Sequence, residues 1–168
     1  RGAEGDLDAE RVHAQAALFG VAGDMRQRRR VAEQHFRAAL ANAGDEAIER
    51  VEISGAGERA FCSGADVRWL RSQVLDGGEW LRFFEVEYDL NGIIADYPKP
   101  YVAYMSGIDM GGGLGVSAHG SRRLVDSTSR LAMPETNIGF VPDVGIMWQL
   151  SHAPGEIGTH VALTGETF

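Results

Sequence analysis

The sequence predicts an α/β fold, and three observations carry that prediction. Short segments rich in β-branched or aromatic residues, Ile48–Ser54 and Tyr101–Met105, read as strands. Stretches with apolar residues at helical spacing, such as Val67, Leu70 and Val74, follow them. Glycine-rich punctuation separates the two kinds of segment, so strands and helices alternate.

Taken in order, Val31 to Ala41 reads as a helix and Ile48 to Ser54 as a strand that leaves through Gly55-Ala56-Gly57. Val67 to Leu75 is a helix ended by Gly77-Gly78. Leu81, Phe84 and Tyr88 share one face of a longer helix, which sets Glu87 beside that apolar face. Tyr101 to Met105 is a strand and Gly112 to His119 a helix; Arg123–Val125 and Leu131–Met133 are short strands. Val144–Leu150 and Pro154–Leu163 complete the pattern as helices, with no internal repeat or low-complexity linker.

Glycines 111 to 113 stand where a strand-like run gives way to a helix. Glycine lets the main chain approach a ligand closely, and a helix start offers unpaired N–H groups and a positive dipole end. Such a junction holds an oxyanion or a phosphate. Gly113-Leu114-Gly115-Val116-Ser117-Ala118 also fits a dinucleotide pattern, though the strand ends before the first glycine. Gly115-Val116-Ser117-Ala118-His119 falls one residue short of a nucleophile elbow. Close helix packing by small residues is a further reading.

A second donor candidate lies in Ala60-Phe61-Cys62-Ser63-Gly64-Ala65-Asp66-Val67, where Ala65 falls near the first turn of the next helix. Two helix starts can aim two N–H groups at one carbonyl oxygen. The alternative is a loop with a helix cap. Downstream, Met133 to Gly145 is punctuated by Pro and Gly and carries Glu135 and Asp143. Apolar neighbours such as Phe140 and Val141 favour desolvation, a raised pKa and acid–base work; solvated loop carboxylates or caps are the alternative.

The 168 residues suffice for one core, and a 44% hydrophobic content is ordinary for a globular chain. A formal charge of −8 argues against general nucleic-acid binding. No apolar run reaches the ~18 residues of a membrane span, and the charged N-terminus has no signal-peptide core. The expected setting is cytosolic, with the mitochondrial matrix as the alternative. Cys62 is the only cysteine, which excludes an intrachain disulfide and a cysteine-rich zinc site; beside Phe61 it reads as a small core residue. His13, His35, His119, His152 and His160 show no metal-binding spacing, and His119 reads as a helix-end residue without a catalytic role.

Lys99-Pro100-Tyr101-Val102-Ala103, Met110-Gly111-Gly112-Gly113-Leu114-Gly115, Met133-Pro134-Glu135-Thr136, Pro142-Asp143-Val144-Gly145 and Ala153-Pro154-Gly155 follow one another in a recognisable order and spacing. In these motifs the chain resembles the crotonase (enoyl-CoA hydratase/isomerase) superfamily, and within it the 3-hydroxyisobutyryl-CoA hydrolases. The likeness runs from about Phe36 to the end and is strongest from Lys99 to Gly165. It implies a crotonase-like spiral of β-β-α turns, incomplete at both ends, with residues 1–35 an atypical N-terminal segment and 36–168 a partial core.

The resemblance further implies an oxyanion hole from the N–H groups of Ala65 and Gly112, a catalytic glutamate at Glu135, a second acid at Asp143 and a substrate-contacting glutamate at Glu87. At Gly115 the hydratases of the superfamily carry a second catalytic glutamate, so hydration is disfavoured and thioester hydrolysis preferred. The implied substrate is an acyl-CoA, with CoA part of the substrate and no separate cofactor. The basic run Arg26-Gln27-Arg28-Arg29-Arg30 reads as a solvated helix face, with contact to CoA phosphates as the alternative. Two other functions stay open: an inactive fragment that binds acyl-CoA or associates with copies of itself, and a hydratase or isomerase. Uncovered apolar surface at incomplete ends would favour a homo-oligomer in any of these cases.

Overall fold

The structure, a computed structural model, describes residues 10–15, as backbone, and 42–168. The expected helix at 31–41 and the basic run at 26–30 lie outside the described residues.

Seven strands form two parallel sheets among the described residues. They are β1 (Glu10–Gln15), β2 (Ile48–Ser54), β3 (Ala60–Cys62), β4 (Tyr101–Tyr104), β5 (Ile108–Met110), β6 (Arg122–Leu124) and β7 (Arg130–Ala132). The first sheet runs β1-β2-β4-β6 and the second β3-β5-β7. From β2 onward each circuit of the chain adds one strand to each sheet and then a helical segment, which is the expected β-β-α spiral. Register is set by pairs such as Ile53 with Ala103 and Ala103 with Arg123 in one sheet, and Met110 with Ala132 in the other.

Strand β2 lies between β1 and β4, and its Val51, Glu52 and Ile53 are all buried. Continuous burial fits an interior parallel strand covered on both faces. Glu52 is tolerated there because Arg50 Nε donates to its Oε1 at 2.7 Å. Strand β1, Glu10–Gln15, lies inside the segment read as atypical and pairs in parallel with β2.

Helix α1 (Val67–Leu75) forms where its spacing predicts, capped by Asp66 Oδ1, which accepts from Trp69 N at 3.0 Å. Its apolar stripe is not a core face, since no residue of the helix is buried and Val67 and Val74 are exposed. Helix α2 (Trp80–Ala95) also forms, but it turns a different stripe inward. Phe83, Glu87, Leu90, Asn91 and Ile94 are buried, whereas Leu81 and Tyr88 are exposed. Periodicity found the helix and missed its rotation, because both stripes are apolar at helical spacing.

Helix α3 (Gly112–Ser117) is buried along its whole length. Ser117 is fully enclosed and donates to Asp109 Oδ2 at 2.7 Å, so it packs a core helix and does not form a nucleophile elbow. Cys62 is buried as expected, and burial pushes its thiol up to about 12. Beyond β7, a 3-10 helix (Pro134–Ile138) leads to α4 (Ile146–Ser151) and α5 (Ile157–Thr164).

Candidate active site

Two glycines in the left-handed region bring the helix starts together. Gly64 has φ +88° and Gly111 φ +55°, values that L side chains rarely adopt. A Cβ on Gly64 would stand 3.0 Å from Met110 O and 3.4 Å from Gly112 N, so the β3–α1 and β5–α3 turns are in contact. A Cβ on Gly112 would stand 3.8 Å from Ala65 N and 2.5 Å from Glu87 Oε1. Ala65, Gly112 and Glu87 therefore share one small space. Gly112 is the first residue of α3, where an N–H has no partner inside the helix, and Ala65 stands one residue before Asp66, the N-cap of α1.

Glu135 reaches the same space from the 3-10 helix. A Cβ on Gly111 would stand 2.7 Å from Glu135 Oε1, so the carboxylate rests against a bare Cα. Its Oε2 is buried without a hydrogen-bond partner. Burial, reinforced by the nearby Asp143 charge and opposed by the backbone, raises its pKa to about 7. A carboxyl poised near neutrality is suited to taking and returning a proton.

Asp143 closes the other side. It is half-buried, and Tyr88 Oη donates to its Oδ2 at 2.7 Å. Burial pushes its pKa up while the Tyr88 hydrogen bond pulls it down. An aromatic wall supports this acid, with Phe84 5.8 Å from both Tyr88 and Phe140, centroid to centroid. Gly139, with φ +76°, turns the chain so that Phe140 N donates to Glu135 O at 3.0 Å. That turn lets one loop carry both acids.

Gly115 has no room for a side chain. A Cβ there would meet Val144 Cβ at 2.8 Å and Asn91 Nδ2 at 2.9 Å, and Asn91 donates to Gly115 O at 2.8 Å. The glycine run thus serves two purposes: Gly111 and Gly112 border the site, while Gly113 and Gly115 pack against the core. Ala65, Glu87, Gly112, Glu135 and Asp143, the residues singled out in the sequence, converge. Sequence reasoning missed Tyr88 as the partner of Asp143 and Asn91 as the partner of Gly115. The only trace of either was its place on a helix adjoining Glu87. Among the described residues no group of three or more His, Cys, Asp or Glu could hold a metal ion.

A family model described as Enoyl-CoA hydratase/isomerase matches residues 30–168. The chain is 46% identical over 123 residues to the mitochondrial 3-hydroxyisobutyryl-CoA hydrolase of Danio rerio, covering 72% of this chain and 32% of that protein. It is 45% identical over 118 residues to the small ribosomal subunit protein mS47 of Neurospora crassa, covering 68% of this chain and 23% of that protein. The chain thus spans about a third or less of these curated relatives. A carnitinyl-CoA dehydratase structure from Mycobacterium thermoresistibile superposes with TM-score 0.77 at 48% identity, over 82% of this chain and 41% of that one. An enoyl-CoA hydratase from Rhodobacter sphaeroides superposes with TM-score 0.77 at 42% identity, over 82% of this chain and 42% of that one. The parallel β-β-α spiral, the convergent glycine turns and this match over most of the length have one origin: the chain belongs to the enoyl-CoA hydratase/isomerase, or crotonase, family.

Proposed function

We propose that the chain carries the catalytic half-site of an acyl-CoA thioester hydrolase acting on 3-hydroxyisobutyryl-CoA or a similar short 3-hydroxyacyl-CoA. The observation that carries this reading is the meeting of Glu135, poised near neutrality, with the N–H groups of Ala65 and Gly112. In the reaction the Glu135 carboxylate takes a proton from water, and the water oxygen bonds to the thioester carbonyl carbon. The carbonyl electron pair moves onto oxygen and is held by the N–H groups of Ala65 and Gly112. When the carbonyl re-forms, the C–S bond breaks and the CoA thiolate takes the proton from Glu135. Each oxyanion donor contributes roughly 3 kcal/mol to lowering the barrier. Asp143 and Glu87 face the same space and bind the 3-hydroxyl of the acyl group.

The names of the hydrolase relatives support hydrolysis, and the crowding at Gly115 weighs against a second acid for hydration. The vertebrate relatives are named as mitochondrial, which supports the matrix as the setting. No helix among the described residues is long and apolar enough to cross a membrane. Trp148, Leu163 and Phe168 are exposed, which supports association between copies of the chain.

A second reading is a family member without turnover, and the likeness to a protein named as a ribosomal subunit component favours it, since a fold does not fix an activity. Free-thiol release from 3-hydroxyisobutyryl-CoA, with Glu135→Gln alongside and circular dichroism on both, separates the two. Turnover in the parent alone supports the hydrolase; a folded parent with no turnover sinks it.

A further inference from the structure

Val144 is the one non-glycine among the described residues with a positive φ, +45°, and it is followed by Gly145 at φ +71°. A β-branched residue does not adopt that conformation unaided. The consequence is functional, because these two residues directly follow Asp143. The turn sends the Val144 side chain into the core against Gly115, while Asp143 remains at the site beside Tyr88.

His119 is placed to hold this turn. It lies two residues beyond α3, at the opposite end from Gly112. Its Nε2 is 2.6 Å from Val144 O and its Nδ1 is 3.1 Å from Gln149 Nε2 on α4. A carbonyl oxygen only accepts and an amide nitrogen only donates, so Nε2 carries the hydrogen and Nδ1 accepts. The Gln149 amide also donates to Ala118 O at 3.4 Å, which fits the same orientation. The ring lies flush with the turn: a Cβ on Gly145 would stand 3.0 Å from His119 Cε1 and 3.2 Å from Nε2.

We propose that His119 is a positioning residue, which ties the strained Val144–Gly145 turn to the end of the oxyanion helix and so fixes Asp143 relative to the Gly112 donor. This rests on the thioesterase reading for its catalytic consequence, but not for its structural one. The imidazole itself stays away from the reacting atoms; its effect passes through the peptide of Val144.

His119→Gln and His119→Asn form the test, since the longer amide can still donate to Val144 O and the shorter one cannot. Carbon-13 NMR of the side-chain carboxyls should show the raised Asp143 titration kept in His119→Gln and returned toward the ordinary carboxylate range in His119→Asn. Turnover of 3-hydroxyisobutyryl-CoA should fall roughly 10- to 100-fold in kcat for His119→Asn, with little change in KM, and recover in His119→Gln. Identical behaviour of the two variants, or an unmoved Asp143 titration in His119→Asn, overturns the proposal. Should the parent show no turnover, the thioesterase reading fails and the titration alone decides this one. Should His119→Asn fail to fold, Gln149→Leu removes the ring's second hydrogen bond, together with the longer one to Ala118 O, leaves the His119–Val144 contact in place and should shift the Asp143 titration in the same direction; no shift there overturns the proposal.

Discussion

The hydroxyl of Tyr88 donates to Asp143 at 2.7 Å across 55 residues of sequence, joining α2 to the loop that carries both acids of the candidate site. This hydrogen bond favours the ionised carboxylate, against the burial that disfavours it. Tyr88→Phe should therefore raise the Asp143 pKa further and cost about 1 kcal/mol of stability. Carboxyl NMR titration and thermal melts read the two effects, and an unchanged or lower Asp143 pKa would show that the bond is not formed in solution.

The pH dependence follows from Glu135. Its folded pKa of about 7 lies above the ordinary 4.5, so between those values the folded protein holds a proton that the unfolded chain has lost. Stability should fall as pH rises through that window, and hydrolysis should rise as Glu135 ionises near pH 7. Glu135→Gln should abolish turnover and flatten the stability profile. At pH 8 it should also stabilise the fold by about 1 kcal/mol, a figure kept low because water screens the half-buried side chain. Melts at pH 5 and pH 8 for both proteins check the sign.

Gly112→Ala places a methyl at 2.5 Å from Glu87 Oε1, at a position 3.8 Å from Ala65 N. The glutamate end can swing aside, so the fold should survive. Turnover should drop roughly 10²- to 10³-fold, the scale of losing an oxyanion donor. Steady-state kinetics beside circular dichroism measure it, and a folded variant with parental kcat would remove Gly112 from the hole.

Gly115→Glu introduces the second acid that the resemblance implies for hydratases at this position, yet the first atom it adds meets Val144 Cβ at 2.8 Å. Overpacking of this kind costs about 1–3 kcal/mol. The variant should melt earlier and gain no hydration of crotonyl-CoA, followed as loss of enoyl absorbance. A stable variant that hydrates would mean that Val144 yields and that only the missing carboxylate blocks that chemistry.

Isotope labelling separates two forms of hydrolysis. Attack by activated water leaves the Glu135 oxygens unexchanged, whereas direct attack by the carboxylate passes through an anhydride, and water adding at its glutamyl carbon carries solvent oxygen into the side chain. Mass spectrometry of the Glu135 peptide after turnover in oxygen-18 water should show no label under the mechanism proposed above.

The sequence by itself determined the α/β class, the β2 limits at Ile48–Ser54, the α1 limits at Val67–Leu75 and the family likeness, because these rest on local spacing and on motifs in register. It also singled out Ala65, Glu87, Gly112, Glu135 and Asp143. The three-residue strands β3 and β5 escaped it, since glycine and polar residues close on either side leave no apolar run to read, whereas the equally short β6 and β7 were read to within one residue. Strand β1 escaped it because its pairing with β2 is a long-range contact, absent from local composition. Only the tertiary structure decided which stripe of α2 faces inward, for two apolar stripes compete at the same spacing and the fit of Asn91 against Gly115 selects between them. It alone joined Tyr88 to Asp143 and His119 to Val144. Hydrogen bonds between distant segments depend on where each backbone is carried in space, and no local pattern of residue types encodes that.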